Sequence, residues 1–326
     1  MPAEKPRQTS GRMRWLPDPS ESSVRQAVAA AAPRLANARI ELPPDIDTSN
    51  PEWSSSTAIV DGSFIVKFAW SELGARRVFR EALVLETLGR VVPELPVPRT
   101  AGISDDPVAF VTPLVRGTPL GFEDMRRGSR KDRAAIADGL ASFLATLHQP
   151  LVLDAVRAAV PSLVAPHPQG RTDAIRERLP RFLDRRRADL VLGWCDWVDE
   201  ILRVPAPQPV LAHGDLHGFN QVWRRSSWTM LLVADFEVAG PADPEYDFRY
   251  FPSQEPTLGL VTAIRERYMS LTGRTIDMKR ALAWHIRTAL GDALWRSEAG
   301  VPLPGGGTPA TYVDDIELKL DLVTRP

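Results

Sequence analysis

The stretch from His213 to Asp247, HGDLHGFNQVWRRSSWTMLLVADFEVAGPADPEYD, constrains this chain more than any other feature. It opens with a loop that runs to Asn220. Gln221–Arg224 and Thr229–Ala234 then read as two strands around a turn at Arg225–Ser227. An antiparallel hairpin brings its open ends together, so Asn220 and Asp235 are expected to be neighbours. An amide oxygen beside a carboxylate suits magnesium, which takes hard oxygen donors and completes its shell with water and phosphate. Asp215, a second acid upstream in the loop, can orient a hydroxyl toward a nucleotide triphosphate held on that metal. Taken singly, Asn220 and Asp235 read better as turn caps; the pair acquires chemical meaning from His213 and Asp215 standing before it in this order.

Bulk properties narrow the classes. The chain has 326 residues, enough for two lobes and a large core. A net charge of −1 gives no support to a nucleic-acid or membrane-surface partner. Cys195 is the only cysteine, which precludes an internal disulfide and fits a reducing cytoplasm. No run approaches the roughly 20 apolar residues of a membrane span. The start of the chain is polar and proline-rich, and residues 1–19 are expected to form a disordered tail, with Met13 as an alternative initiator. A monomer and a homodimer are both compatible with this composition.

Beyond the tail, Ser20 is expected to cap a helix running to about Ala32. Ser56–Val60 and Ser63–Ala69 read as strands joined at Asp61-Gly62, a strong hairpin signal. A helix is predicted over Ala75–Gly89, ending at its glycine, followed by strand, turn and strand up to a linker near Gly117. The pattern is then mostly helical: a core helix ending at His148, a helical stretch over Arg171–Val204 broken at Pro180, helices over Leu258–Thr272 and Lys279–Ala299, a flexible loop at Gly305–Gly307, and a last helix over Tyr312–Val323. The fold class is α+β and bilobal: residues 20–116 form a nucleotide-binding lobe with an antiparallel sheet, and residues 117–326 form a helical lobe with the catalytic loop and the substrate site.

Lysine is scarce: Lys5, Lys67, Lys131, Lys279 and Lys319 stand against a majority of arginines. Lys67 lies in the apolar strand SFIVKFAW, where it needs a partner or an exit to solvent. On a helical wheel Glu81 shares the stripe of Val78, Leu85 and Leu88, a poor place for an unpaired charge and a good one for an ion-paired one. Glu86 is the rival, since Phe79 and Leu83 also flank it.

HGDLHGFN resembles the HGD-x-x-x-x-N catalytic loop of the aminoglycoside phosphotransferase family, within the wider protein-kinase-like superfamily. VADFEVAGPADPEYD is similar to that family's metal-binding segment. TLHQP at 146–150 and LPVPR at 95–99 look like its helix end and interlobe stretch. The resemblance implies that Asp215 orients and deprotonates a hydroxyl of a small-molecule substrate, that Asn220 and Asp235 bind Mg, and that His213 and Asp247 brace the loop. It implies that Lys67 contacts the phosphates of ATP or GTP and pairs with Glu81, and that the base docks near Phe110 to Leu114. The acceptor it implies is an aminoglycoside-like or other antibiotic; a choline, homoserine or sugar kinase is the alternative.

The chain departs from kinases at the nucleotide-covering loop. WSSSTAIVDG has no glycine before the first strand, and Ser54, Ser55 and Ser56 either offer phosphate their N–H and hydroxyl groups or form a plain polar loop. Glu237 after Asp235 either touches metal or water, or caps the next turn; His217 is read as bracing the loop. Asp292 and Glu298, with Asp314, Asp315 and Glu317, could form an acidic wall for a polycation, although acids on helices are usually just solvated. Trp284 and Trp295 could stack on a sugar ring or choline head, although aromatics at helical spacing usually belong to the core. Two other classes compete: a zinc hydrolase with His213, Asp215 and His217 as ligands, and a pseudokinase that binds nucleotide without turnover.

Overall fold

A computed structural model describes residues 13–46, 48, 54–160, 163–166, 170–204, 208–255, 257–303 and 306–324. The first lobe is built on a five-stranded antiparallel sheet in the order β1-β2-β3-β5-β4. Its strands are β1 (Ile40–Glu41), β2 (Ser55–Val60), β3 (Phe64–Ala69), β4 (Gly102–Asp105) and β5 (Val108–Pro113). The β2–β3 turn is at Asp61 and Gly62, both with positive φ (52° and 61°), the backbone shape that a tight hairpin requires. Helix α1 (Glu21–Ala31) packs on one face of the sheet, capped by the Ser20 hydroxyl, which accepts from the Ser23 N–H.

Period-two alternation in β3 decides where its lysine goes. Val66 and Phe68 bury against α1, so Lys67 points to the opposite face. There lies α2 (Glu72–Val91), capped at Ser71 and burying Val78, Glu81, Ala82, Leu85 and Leu88. The helix does not end at Gly89 as the sequence pattern predicted. It runs through to Val91, and Val92 still donates to the Leu88 carbonyl; Pro93, which cannot continue the ladder, follows.

The second lobe contains α3 (Phe122–Arg127), α4 (Arg130–Leu147), α5 (Pro150–Ala159), α6 (Thr172–Arg178) and α7 (Arg185–Leu202). A 3-10 turn at Leu179–Phe182 separates α6 from α7 at Pro180, as expected. Two small antiparallel pairs follow, made by β6 (Val210–Ala212) with β9 (Gly240–Ala242) and by β7 (Gln221–Arg224) with β8 (Thr229–Val233). The lobe closes with α8 (Pro244–Asp247), α9 (Gly259–Thr272), α10 (Met278–Ala299) and α11 (Pro309–Thr324). One apolar core joins α2, α4, α5 and α9 with the β7–β8 hairpin, and another lies among α6, α7, α10 and α11. These lobes make a bilobal, protein-kinase-like α+β fold.

The expected tail divides. Residues 1–12 lie outside the described residues, whereas Leu16 is buried in the first lobe and its N–H donates to the Ala69 carbonyl. An apolar side chain and the carbonyl of Ala69 at the end of β3, beyond its pairing with β5, fix this segment. The expected loop at 305–307 lies partly outside the described residues as well. Among the described residues, no single helix is long and apolar enough to cross a membrane.

Candidate active site

The hairpin sets the geometry first. Gln221 pairs with Val233, so the preceding Asn220 reaches the end of β8, where its carbonyl accepts from the Ala234 N–H at 2.8 Å. Asp235 follows with φ 69°, a left-handed turn that ends the strand and redirects the chain. The Asn220 side chain donates from Nδ2 to the Asp215 carbonyl at 2.9 Å and to Asp215 Oδ2 at 3.3 Å. That commitment leaves the amide oxygen as the atom able to bind a cation.

His213 locks the loop from beneath. Its ring accepts from the Asp215 N–H at Nδ1 (3.1 Å) and donates from Nε2 to the Ala234 carbonyl (2.9 Å). Both nitrogens are thus occupied in a neutral ring, and burial pushes its pKa down. The zinc reading therefore lacks one of its three ligands. Asp247 accepts from the N–H groups of His213 (2.8 Å) and Gly214 (2.9 Å) and contacts His148 Nε2 at 3.1 Å. Burial works to raise its pKa, but the His148 hydrogen bond, the neighbouring histidines and the Gly214 N–H hold it below its ordinary value.

Lys67 crosses from the sheet to this hairpin. Its Nζ lies 2.6 Å from Glu81 Oε2, 2.7 Å from Asp235 Oδ1 and 3.2 Å from Glu237 Oε2. The other Glu81 oxygen accepts from the Phe236 N–H at 3.0 Å, and Arg80 donates to the Glu237 carbonyl. Two adjacent residues of α2 therefore hold the turn that carries Asp235. Glu86 is exposed and takes no part. Burial opposes a charged Lys67, but the three carboxylates hold it well above its ordinary pKa. Glu81 is pushed up, to about 7, mainly by burial and further by the like charges of Asp235 and Glu237.

Three carboxylates facing one ammonium leave an excess of negative charge. Oxygens of Glu81, Asp235 and Glu237 lie within 4.8 Å of one another. Glu81 is committed to Lys67 and Phe236; Asp235 and Glu237 are partly exposed on the open side. These oxygens are a hard-donor set that fits a divalent cation, and the Asn220 amide oxygen belongs to the neighbouring end of the same hairpin.

A model of the phosphotransferase enzyme family matches residues 43–274, most of the chain. This chain belongs to the phosphotransferase enzyme family. Solved structures with the same fold include the GDP complex of wild-type aminoglycoside 2'-phosphotransferase-IIIa, at 17% identity, with 91% of this chain and 97% of that chain covered and a TM-score of 0.66. The streptomycin–ATP–APH(2")-IIa ternary complex matches at 16% identity over 93% and 98%, with a TM-score of 0.57. Macrolide 2'-phosphotransferase type I matches at 17% over 94% and 99%, also at 0.57. No curated protein sequence matches.

Other expected site residues of this family member sit differently from one another. Ser54 is buried, with its hydroxyl against Ser71 at the start of α2; Ser55 and Ser56 are half-buried on β2. Phe110 to Pro113 belong to β5, between β3 and β4, and the chain leaves the sheet only at Leu114. The acids of the last helices are paired within the chain: Asp292 with Arg296 (3.0 Å), Glu298 with Arg178 (3.1 Å), Asp314 with Arg187 (2.8 Å), Asp315 with Lys319 and Glu317 with Arg186. Trp284 donates to Asp243 and packs edge-on against Tyr246. Sequence reasoning missed Arg249 and Tyr250, which flank Asp215. Their signal was faint: an arginine between aromatics, just after the loop-bracing Asp247.

Proposed function

We propose that this phosphotransferase moves the γ-phosphoryl group of ATP or GTP to a hydroxyl of a small molecule, with magnesium. The observation that carries this reading is the Lys67 cluster. One buried ammonium binds Glu81, Asp235 and Glu237, while Asn220 ties the same hairpin to Asp215. In this reading Asp235, Asn220 and Glu237 hold the metal. Magnesium there would neutralise the β- and γ-phosphate oxygens as charge shifts between them. Lys67 supplies fixed positive charge to the phosphates, kept in place by Glu81. Ser55 and Ser56 offer backbone donors at the edge of the nucleotide site.

Asp215 positions the acceptor. The hydroxyl proton passes to Asp215, the acceptor oxygen bonds to the γ-phosphorus, and the bond from that phosphorus to the β–γ bridging oxygen breaks, leaving the nucleoside diphosphate. Burial raises the Asp215 pKa, yet His217, Tyr250 and Arg249 outweigh it and hold the carboxyl below its ordinary range. Asp215 is therefore an orienting acceptor rather than a strong base, which suits a loose phosphoryl-transfer transition state.

Structures of similar fold include complexes with kanamycin and with streptomycin, and one is a macrolide 2'-phosphotransferase, which supports an antibiotic acceptor. The internal pairing of Asp292 and Glu298 favours an acceptor with few positive charges over a polycation. A macrolide-like alcohol or a metabolic alcohol such as a sugar fits that better than an aminoglycoside. A mass-spectrometric screen of aminoglycosides, macrolides, choline, homoserine and sugars with Mg and either ATP or GTP tests this. One product gaining a single phosphoryl group is expected, and nucleotide binding without any transferred phosphoryl group would favour a pseudokinase instead.

A further inference from the structure

One side chain outside the catalytic motif touches the carboxylate assigned to catalysis. Tyr250 sits on the 3-10 turn Phe248–Gln254, directly after α8, and its hydroxyl contacts Asp215 Oδ1 at 2.7 Å. The direction of that bond is determined. Arg249 donates to the same hydroxyl at 3.2 Å, and a guanidinium has no acceptor site, so the phenolic proton must go to Asp215. The ring is held as well. The Arg249 guanidinium lies over the Tyr250 ring at 4.2 Å and over the Tyr246 ring at 3.9 Å, while donating to the carbonyls of Gly214 and Tyr246. His217 meets the Tyr250 ring edge-on at 5.6 Å. A phenylalanine would keep these ring contacts, so the hydroxyl adds only its bond to the carboxylate and the longer hydrogen bond that it accepts from Arg249.

The remaining contacts of Asp215 fall on its other oxygen. Oδ2 faces Asn220 Nδ2 at 3.3 Å and His217 Nε2 at 3.4 Å. Arg249 is 3.9 Å from Oδ1, beyond hydrogen-bond range. A carboxylate offers about four lone-pair positions. Asn220 and His217 face Oδ2, Tyr250 occupies one position on Oδ1, and the second position on Oδ1 remains.

We propose that Tyr250 is a positioning residue for phosphoryl transfer: it fixes the rotation of the Asp215 carboxylate so that one lone pair of Oδ1 faces the acceptor hydroxyl. This rests on the reading of Asp215 given above. The acceptor proton moves to Oδ1 as the acceptor oxygen bonds to phosphorus, and Tyr250 keeps its own proton throughout.

Water serves as the acceptor in the test, so no organic substrate is needed. Nucleotide hydrolysis is measured for the full-length chain with Mg and ATP or GTP, comparing the unaltered protein, Tyr250→Phe and Asp215→Ala. Loss of one hydrogen bond to a charged group corresponds to a fall in kcat of about 10- to 100-fold for Tyr250→Phe. The nucleotide KM should stay unchanged and the variant should remain folded at the assay temperature despite a modest fall in melting temperature; a tyrosine that only supports the fold would lower the melting temperature and leave the kcat of the folded protein alone. Unchanged or faster hydrolysis in Tyr250→Phe, with Asp215→Ala inactive, overturns this inference but leaves the reading of Asp215 standing. Absence of Asp215-dependent hydrolysis in the unaltered protein overturns both.

Discussion

At the scale of single residues, the site is a problem of charge. Lys67 is the only cation that the structure places among Glu81, Asp235 and Glu237 by direct ion pairs among the described residues. Replacing it with alanine leaves Glu81 buried without its counter-ion. We expect Lys67→Ala to lose about 3 kcal/mol of stability in urea unfolding. Magnesium should then raise its melting temperature more than that of the unaltered protein, because the three carboxylates face one another unopposed. Equal shifts in the two proteins would mean that the acids do not act as one cation site. Glu81→Gln separates the two duties of that side chain: it keeps an acceptor for the Phe236 N–H but loses the charge on Lys67.

At the scale of elements, the hairpin of β7 and β8 brings the polar groups together, and Asp247 secures it from below. Asp247→Ala removes the acceptor for two buried N–H groups, those of His213 and Gly214, and the partner of His148. A loss of about 3–5 kcal/mol is expected, read as an earlier melting transition with nucleotide binding weakened only through unfolding. Gly218 serves the same loop by close approach. A Cβ there would lie 2.0 Å from the Leu120 carbonyl oxygen, so Gly218→Ala must push the loop aside. We expect about 1–3 kcal/mol of destabilisation and a fall in turnover larger than the fall in stability predicts. A variant as stable and active as the original would show that the loop is free to shift.

Much of this arrangement was legible in the chain because it is local. His213, Asp215, Asn220 and Asp235 lie within one loop and one hairpin, and the helical stripe of α2 marked Glu81 as the acid that the family resemblance pairs with Lys67. The contacts of Tyr250 and Arg80 were not legible, since both depend on how a turn packs against a distant backbone. The same holds for the acids of α10 and α11. Asp314 reads as a bare surface charge until α7 brings Arg187 against it. Gly89 misled for a different reason: a glycine permits a helix to stop but does not compel it, and the stop came with Pro93.

At the scale of the whole molecule, buried histidines couple stability to pH. His285 is buried between α10 and the Arg249 carbonyl, and burial, followed by the charge of Lys319, lowers its pKa to about 4. In the unfolded chain it would titrate near 6.5. Between those values the unfolded state binds more protons, so stability rises with pH. His213 is shifted in the same direction by burial. Lowering the pH from 7 toward 4 at constant temperature in urea titrations should therefore lower stability by about 2–3 kcal/mol through His285 alone, and His285→Gln should flatten that slope. An unchanged slope would mean that the ring is already protonated in the native state.

Phosphoryl transfer as proposed depends on Asp215 standing between nucleotide and acceptor. The most direct measurement compares magnesium-dependent nucleotide binding and phosphoryl transfer in the unaltered protein and in Asp215→Ala. Nucleotide affinity should change little, because Lys67, Asp235 and Asn220 remain, while transfer to water or to an added hydroxyl compound should fall by about 100-fold or more. Transfer at the original rate in Asp215→Ala would contradict the account.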